Sequence, residues 1–206
     1  MLRSLALAAV ICLTGMTVAR NRQYRDVLTL WQDTTAKSLE KPRVRLNLGR
    51  AYQMTGDGNR AMHEFENAML LAMAPGRPDR ERMMVRQFAA VNMGEMLMST
   101  GNPQATNEAE RIMSQVWNEE PGFPGLANNL AVIYALQGRY AMAIQITDLA
   151  LTQAQYYPSF IDNGKLLFNR AMALKAIGRC EEAVHDFKLA AAQSPDVHAA
   201  GPQQCP

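Results

Sequence analysis

The 206-residue sequence has few of the residues that build catalytic or metal sites. Its three histidines, His63, His185 and His198, stand far apart, and no two His or Cys residues have the spacing of metal ligands. It has no Gly-rich phosphate loop, no Gly-x-Ser-x-Gly turn and no two-histidine helix motif. Runs in which Val, Ile or Thr alternate with polar residues, typical of half-buried strands, are absent as well. The sequence therefore predicts an all-α protein that is not an enzyme and uses no metal or cofactor.

An excess of charge of one sign is also missing. The chain has 21 Lys and Arg residues against 19 Asp and Glu residues, a net charge of +2. No basic stripe is interleaved with aromatic residues, which is the usual signature of a nucleic-acid-binding surface. We therefore predict no nucleic-acid partner.

What the sequence does contain is an internal repeat. An Asn stands nine residues before a Gly four times: Asn47/Gly56, Asn92/Gly101, Asn129/Gly138 and Asn169/Gly178. Two residues after each Asn comes a small residue: Gly49, Gly94, Ala131 and Ala171. A few residues after each of the four turn glycines comes an Ala: Ala61, Ala109, Ala143 and Ala183. Small residues suit the close approach of two antiparallel helices, and Gly suits the left-handed position after a helix end. A repeat of this kind predicts stacked helix–turn–helix units.

This pattern resembles the tetratricopeptide-repeat (TPR) family. The resemblance implies a right-handed all-α TPR solenoid of about four helix–turn–helix repeats, at about residues 42–75, 80–121, 124–157 and 160–195. Four repeats exceed the roughly three that a solenoid needs to bury a core between neighbours. The interaction of such repeats with other proteins makes a protein or peptide the expected partner.

The N-terminal segment is the second informative stretch. Sixteen residues without charge lie between Arg3 and Arg20, which suits a signal-peptide core or a short anchor better than a full membrane span of about 20 residues. We therefore predict a signal peptide or membrane anchor over residues 1–20, with a buried first helix of a cytosolic protein as the alternative. An amphipathic helix from Asn21 to Ser38 is predicted to cap the repeats over residues 21–41. Residues 196–206 are predicted to form a flexible tail.

Residues 5–75 show a second resemblance, carried by Ala19-Arg-Asn-Arg-Gln-Tyr24, Leu30-Trp31 and Asn47-Leu-Gly49. They resemble the membrane-to-TPR junction of bacterial multi-span glycosyltransferase-like proteins, which are related to the TPR-bearing protein O-mannosyltransferases. The resemblance implies an inner-membrane anchor with the repeats in the periplasm. The multi-span part that carries the chemistry in that family has no counterpart in this sequence, so no transferase activity carries over.

The four Asn residues are predicted to line a peptide-binding groove. An amide side chain carries both a donor and an acceptor, so a row of amides can bind an extended backbone without reading its sequence. The row resembles the asparagine ladder of the TPR superhelix in intracellular O-GlcNAc transferases. An equally open alternative is that each Asn hydrogen-bonds a neighbouring helix and ties the repeats together. The predicted groove comprises Asn47, Asn92, Asn129 and Asn169, flanked by Leu46, Arg50, Gln53, Val91, Glu95, Met98, Asn128, Val132, Ala135, Phe168, Met172 and Lys175.

The sequence thus predicts a non-catalytic TPR scaffold that binds a protein or extended peptide on the extracytoplasmic side of a membrane. The alternative is a detached TPR subunit of a split membrane glycosyltransferase that positions acceptor polypeptide, and a third hypothesis is a structural subunit of a larger complex. The cysteines bear on the compartment. In an oxidising compartment Cys180 and Cys205 could pair and fix the tail to the last repeat, whereas a cytosolic protein would keep both thiols free.

Overall fold

The structure is a computed structural model that describes residues 2–23, 26–153 and 163–194. These residues form ten α-helices and no strand. The helices are α1 Leu2–Gln23, α2 Val27–Lys37, α3 Pro42–Met54, α4 Gly58–Ala72, α5 Asp79–Ser99, α6 Pro103–Glu119, α7 Pro124–Leu136, α8 Tyr140–Gln153, α9 Asn163–Ala176 and α10 Cys180–Gln193. The predicted all-α fold is confirmed, and four helix pairs, α3/α4, α5/α6, α7/α8 and α9/α10, correspond to the four sequence repeats.

The turns within the pairs have the predicted conformation. Gly56, Gly101, Gly138 and Gly178 all have positive φ, at 81°, 65°, 72° and 79°. At Gly138 the glycine N–H donates to the Ala135 carbonyl, and the next N–H, of Arg139, donates to the Tyr134 carbonyl. This pair of bonds is a Schellman motif, and it satisfies two carbonyls that the end of α7 would otherwise leave without partners.

The chain divides into two compact units, and the first spans residues 1–76. In this unit α2 packs against α3, and α3 packs against α4; the capping role of the helix before the first repeat stays a prediction. The predicted start of that helix at Asn21 is wrong, because α1 continues through Arg20 to Gln23 and α2 begins at Val27. The reason is local: the Asp26 side chain accepts hydrogen bonds from the N–H groups of Leu28 and Thr29 and caps α2 there.

The second unit spans residues 77–206 and contains the other three pairs. The first helices α5, α7 and α9 lie next to one another, since α7 packs against both α5 and α9. The second helix α8 packs against α9 as well as against its own partner α7. The first helices of this unit therefore form one continuous layer.

Within the pairs, the size of one residue on the first helix matches that of its neighbour on the second. A Cβ added to Gly49 would lie 2.6 Å from Cε1 of the buried Phe65, and one added to Gly94 would lie 2.6 Å from Sδ of the buried Met113. The third repeat has Ala131 on α7, and the buried Thr147 stands at the repeat position of Phe65 on α8. In these three repeats a larger residue on one helix accompanies a smaller one on the other, which keeps the interior close-packed. The fourth repeat differs, because it has Ala171 at the position of Gly49 and Phe187 at that of Phe65.

Several sequence predictions concern the ends of the chain. None of the helices that the structure describes is both long enough and apolar enough to cross a membrane. In α1, Val10, Ile11, Leu13, Met16 and Val18 are all exposed. The predicted tail 196–206, which includes Cys205, lies outside the described residues.

Candidate binding surface

The predicted groove residues fall in both units, and each unit is described by itself. In the first unit Arg50 is exposed and Asn47 and Gln53 are half-buried. Leu46 is only 5% exposed and belongs to the core. Its predicted role as a groove residue that contacts ligand therefore has little accessible surface to support it.

In the second unit a row of hydrogen-bonded side chains joins the three first helices. Asn169 Nδ2 on α9 donates to Asn128 Oδ1 on α7 at 2.9 Å, and Asn128 Nδ2 donates to Asn129 Oδ1 at 3.1 Å. Asn129 Nδ2 then donates to Glu95 Oε1 on α5 at 3.3 Å. We call Glu95, Asn128, Asn129 and Asn169 the amide row. Two of the predicted ladder residues and two of the predicted flanking residues are thus brought together.

Asn92 stands apart from this row although it has the same repeat position. Its Nδ2 donates to the Phe88 carbonyl of its own helix at 2.6 Å, and its side chain is largely buried. Its Oδ1 accepts no hydrogen bond from the described residues. The same holds for Oδ1 of Asn169. Every amide nitrogen of these asparagines thus has an acceptor in the protein, while Oδ1 of Asn92 and Oδ1 of Asn169 have no donor among the described residues.

Apolar side chains accompany the amide row on the same helices. Met172 is 43% exposed and Leu136 is 75% exposed, while Val132 and Met98 are half-buried. Phe168, also predicted as a flanking residue, packs its ring edge-on against Phe187 of α10, with the ring centroids 5.6 Å apart. Met172 thus offers more accessible surface for specificity than Phe168, which is half-buried like Val132 and Met98.

Other charged groups of this unit are held in ion pairs. Arg86 on α5 is almost wholly buried and binds both carboxylate oxygens of Glu119 at the end of α6. This hydrogen bonding lowers the pKa of Glu119. The neighbouring Glu120 differs, because burial raises the pKa of its carboxyl and its Oε2 is enclosed without a partner.

A second cluster, centred on Arg170 of α9, was not predicted from the sequence. Arg170 Nε and Nη2 donate to the two oxygens of Asp186 on α10 at 2.6 and 2.8 Å, and Nη1 donates to Asp148 on α8 at 2.6 Å. These bonds raise the pKa of the Arg170 guanidinium further above its usual range. The first repeat has the same acid position filled, because Glu64 binds Arg45 at 2.9 Å. An acidic residue stands seventeen residues after the repeat Asn in both repeats, Glu64 after Asn47 and Asp186 after Asn169. This shared position was the sequence feature from which the ion pairs could have been predicted.

Comparison with known proteins gives a consistent architecture. No family model and no curated protein sequence matches the chain. Among solved structures, MamA AMB-1 in its P212121 form has a TM-score of 0.59 and 22% identity, covering 89% of this chain and 96% of that chain. TTC0263, a thermophilic TPR protein in Thermus thermophilus, has a TM-score of 0.56 and 20% identity, covering 90% of this chain and 92% of that one.

A chain of the APC/C hetero-tetramer Cut9–Hcn1 has a TM-score of 0.61 and 14% identity, and the match covers 92% of this chain but 33% of that chain. At these identities the likeness concerns the fold. Together with the four helix pairs and their glycine turns, it shows that this chain has the all-α tetratricopeptide-repeat fold.

Proposed function

We propose that the protein is a non-catalytic scaffold that binds an extended segment of a partner protein along the amide row of α5, α7 and α9. The observation that supports this proposal is that the nitrogen and the oxygen of these asparagine side chains differ in their hydrogen-bond partners. The nitrogens of Asn129 and Asn169 bind a neighbouring helix and that of Asn92 binds its own, while Oδ1 of Asn92 and Oδ1 of Asn169 accept no hydrogen bond from the described residues. An extended backbone presents N–H groups that such oxygens can accept, whatever its side chains.

The helix-tying and peptide-binding hypotheses are compatible under this arrangement. A tie uses the amide donors, and a peptide would use the acceptors. The exposed Met172 and the half-buried Val132 and Met98 beside the row favour a partner with apolar side chains. Lys175, further along α9, favours an acidic group toward one end of that segment.

Two variants of one residue separate binding from tying. Asn169→Ala removes the donor and the acceptor, whereas Asn169→Asp removes the donor and keeps acceptor oxygens. We expect both variants to lose the hydrogen bond to Asn128 and to fall similarly in thermal stability. Affinity for the partner should fall about three- to tenfold in Asn169→Ala, since one hydrogen bond contributes about 0.5–1.5 kcal/mol net. It should stay near the wild-type value in Asn169→Asp.

The partner segment for this measurement comes from photo-crosslinking in the full-length protein. A photoreactive amino acid at Met172 or Val132 should capture a defined segment, which mass spectrometry locates in its parent protein. Gln145, exposed on α8, is the control position and should not capture it. The amide row is not the binding surface if Gln145 captures the same segment, or if both Asn169 variants bind it equally well.

We further propose that the repeats lie on the extracytoplasmic side of a membrane, with the apolar residues before Arg20 serving as export signal or anchor. The support is that Cys180 is disulfide-bonded while Cys12 is a free thiol, and disulfides persist in oxidising compartments. The predicted partner Cys205 lies outside the described residues, so the pairing stays a prediction. Protein purified without reductant and then denatured should show one reactive thiol per chain that retains Cys12. Three would contradict both the bond and the location.

A further inference from the structure

A surface cavity of about 350 Å³ lies among α8, α9 and α10, in the second unit. Arg170, at its centre, follows Asn169 by one residue on α9, and successive residues on an α-helix point about 100° apart. The cavity is therefore distinct from the amide row. Its apolar lining consists of Ile144 and Leu174, both of which are largely buried.

The charges around the cavity are unequal. Four carboxylates line it, from Asp148, Glu181, Glu182 and Asp186, against the two guanidinium groups of Arg170 and Arg179. The imidazole of His185 lines it as well and is counted here as uncharged. The N-terminal end of α10 contributes a partial positive charge of about half a unit at its edge. The lining therefore keeps a net negative charge of between one and two.

The two cations are already engaged. Arg170 binds Asp186 and Asp148, and Arg179 binds Glu182. Glu181, by contrast, makes no hydrogen bond or ion pair with any residue that the structure describes. An anion that entered the cavity would have to displace a carboxylate from a guanidinium. A cation would instead find the Glu181 carboxylate, which has no ion-pair partner among the described residues.

The alternatives to a basic organic group fit less well. Within the described part of the chain, no three His, Cys, Asp or Glu side chains are placed so that they could hold a metal ion. An apolar floor under a carboxylate rim suits a group with methylenes below and a cation at its tip.

We propose that this cavity binds an arginine or lysine side chain of a partner protein. The stem of that side chain would lie on Leu174 and Ile144, and its charged end would bind Glu181 and the free oxygen of Asp148. This surface would let the scaffold hold a second, basic partner while the amide row holds an extended segment. The proposal does not depend on the amide row being a binding surface.

The test uses the full-length ¹⁵N-labelled protein and N-acetyl-arginine amide as the probe, followed by NMR. We expect saturable shifts at the backbone amides of Asp148, Leu174 and Glu181 with a dissociation constant in the millimolar range. The citrulline analogue, which has the same shape without the charge, should produce none. Inorganic phosphate and Mg²⁺ should not shift these three amides.

Substitutions at Glu181 then locate the site. Glu181→Gln should weaken binding about threefold, as expected for an exposed ion pair, and Glu181→Lys should weaken it more than tenfold. Because Glu181 makes no hydrogen bond or ion pair with the described residues, both variants should keep the wild-type spectrum elsewhere. Glu66→Gln on α4, also exposed, is the control and should bind the probe as the wild type does.

Equal binding of the citrulline analogue would overturn the proposal, as would an unchanged dissociation constant in Glu181→Lys. Preferential binding of phosphate or Mg²⁺ at these amides would overturn it as well, by making the cavity an anion or metal site. Absence of saturable shifts would also exclude it.

Discussion

The buried ion pair between Arg170 and Asp186 should be strongly coupled, and the chain itself supplies the apolar replacement. In the third repeat the corresponding positions are Leu130 and Ile146, both buried. Asp186→Ile and Arg170→Leu therefore convert the fourth repeat to the pattern of the third. Replacing a buried ion pair by apolar residues of similar size is often neutral, whereas removing one partner leaves a buried charge uncompensated.

The expected magnitudes follow from the burial. Removal of one partner of a fully buried pair costs about 3–5 kcal/mol. Because the Arg170 side chain is 23% exposed and keeps Asp148 as a partner, Asp186→Ile should cost less, about 2 kcal/mol. The Asp186 side chain is only 3% exposed, so Arg170→Leu should cost about 3 kcal/mol. The double variant should lie within about 1 kcal/mol of wild type.

Urea unfolding measures these free energies in a Trp31→Phe background, where the fluorescence of Trp117 reports on the second unit. The control is Glu108→Gln, which breaks the exposed pair with Arg111 and should change stability little. With single costs of about 2 and 3 kcal/mol and a double variant within about 1 kcal/mol of wild type, a double-mutant cycle should give a coupling of about 4–6 kcal/mol. Additive costs for the two substitutions would refute the conclusion that Arg170 and Asp186 act as one buried unit.

Further substitutions test the contacts between the two helices of a pair and the Glu120 carboxyl at the end of α6. Gly49→Ala should lower the free energy of unfolding by about 1–3 kcal/mol, because the rigid ring of Phe65 cannot move away from the added methyl group. Gly94→Ala should be nearly neutral, because the added methyl group meets the flexible end of the Met113 side chain. Equal losses of the two variants in thermal melts would refute this difference. Burial raises the pKa of Glu120, so its contribution to stability is present below the ordinary Glu pKa of about 4.3 and is lost as pH rises through the folded-state pKa. Glu120→Gln should therefore match wild type at pH 4 and exceed it in melting temperature at pH 7, and no such divergence in a series of melts across that range would contradict the effect.

The repeat unit was predictable from the sequence because its determinants are local. A Gly after a helix end and a small residue at a helix crossing leave a fixed spacing, and both Gly56 and Gly49 serve as predicted. The start of α2 was not predicted, because Asp26 as an N-cap competes with a periodicity that continues smoothly from Asn21.

The candidate sites were predictable only in part. The register of Asn129 and Asn169 appears in the sequence, but their connection through Asn128 depends on the distance between α7 and α9. The Arg170 cluster draws on three helices, and ion pairs between distant segments leave no periodic trace. The one sequence feature that pointed to it is that Asp186 stands at the repeat position of Glu64. That feature can be interpreted only once it is known how the two helices of a pair lie against each other.

The matched residue sizes between the two helices of a pair, in the first three repeats, bear on which parts of this chain can be exchanged between repeats. A graft of α3 alone onto α8 would set Gly49 opposite Thr147 and leave a void, since neither residue fills the space that a ring occupies. Moving α3 with α4, or α7 with α8, keeps both partners together. The helix pair, rather than the single helix, is therefore the part that can be transplanted, duplicated or deleted without redesigning its interior.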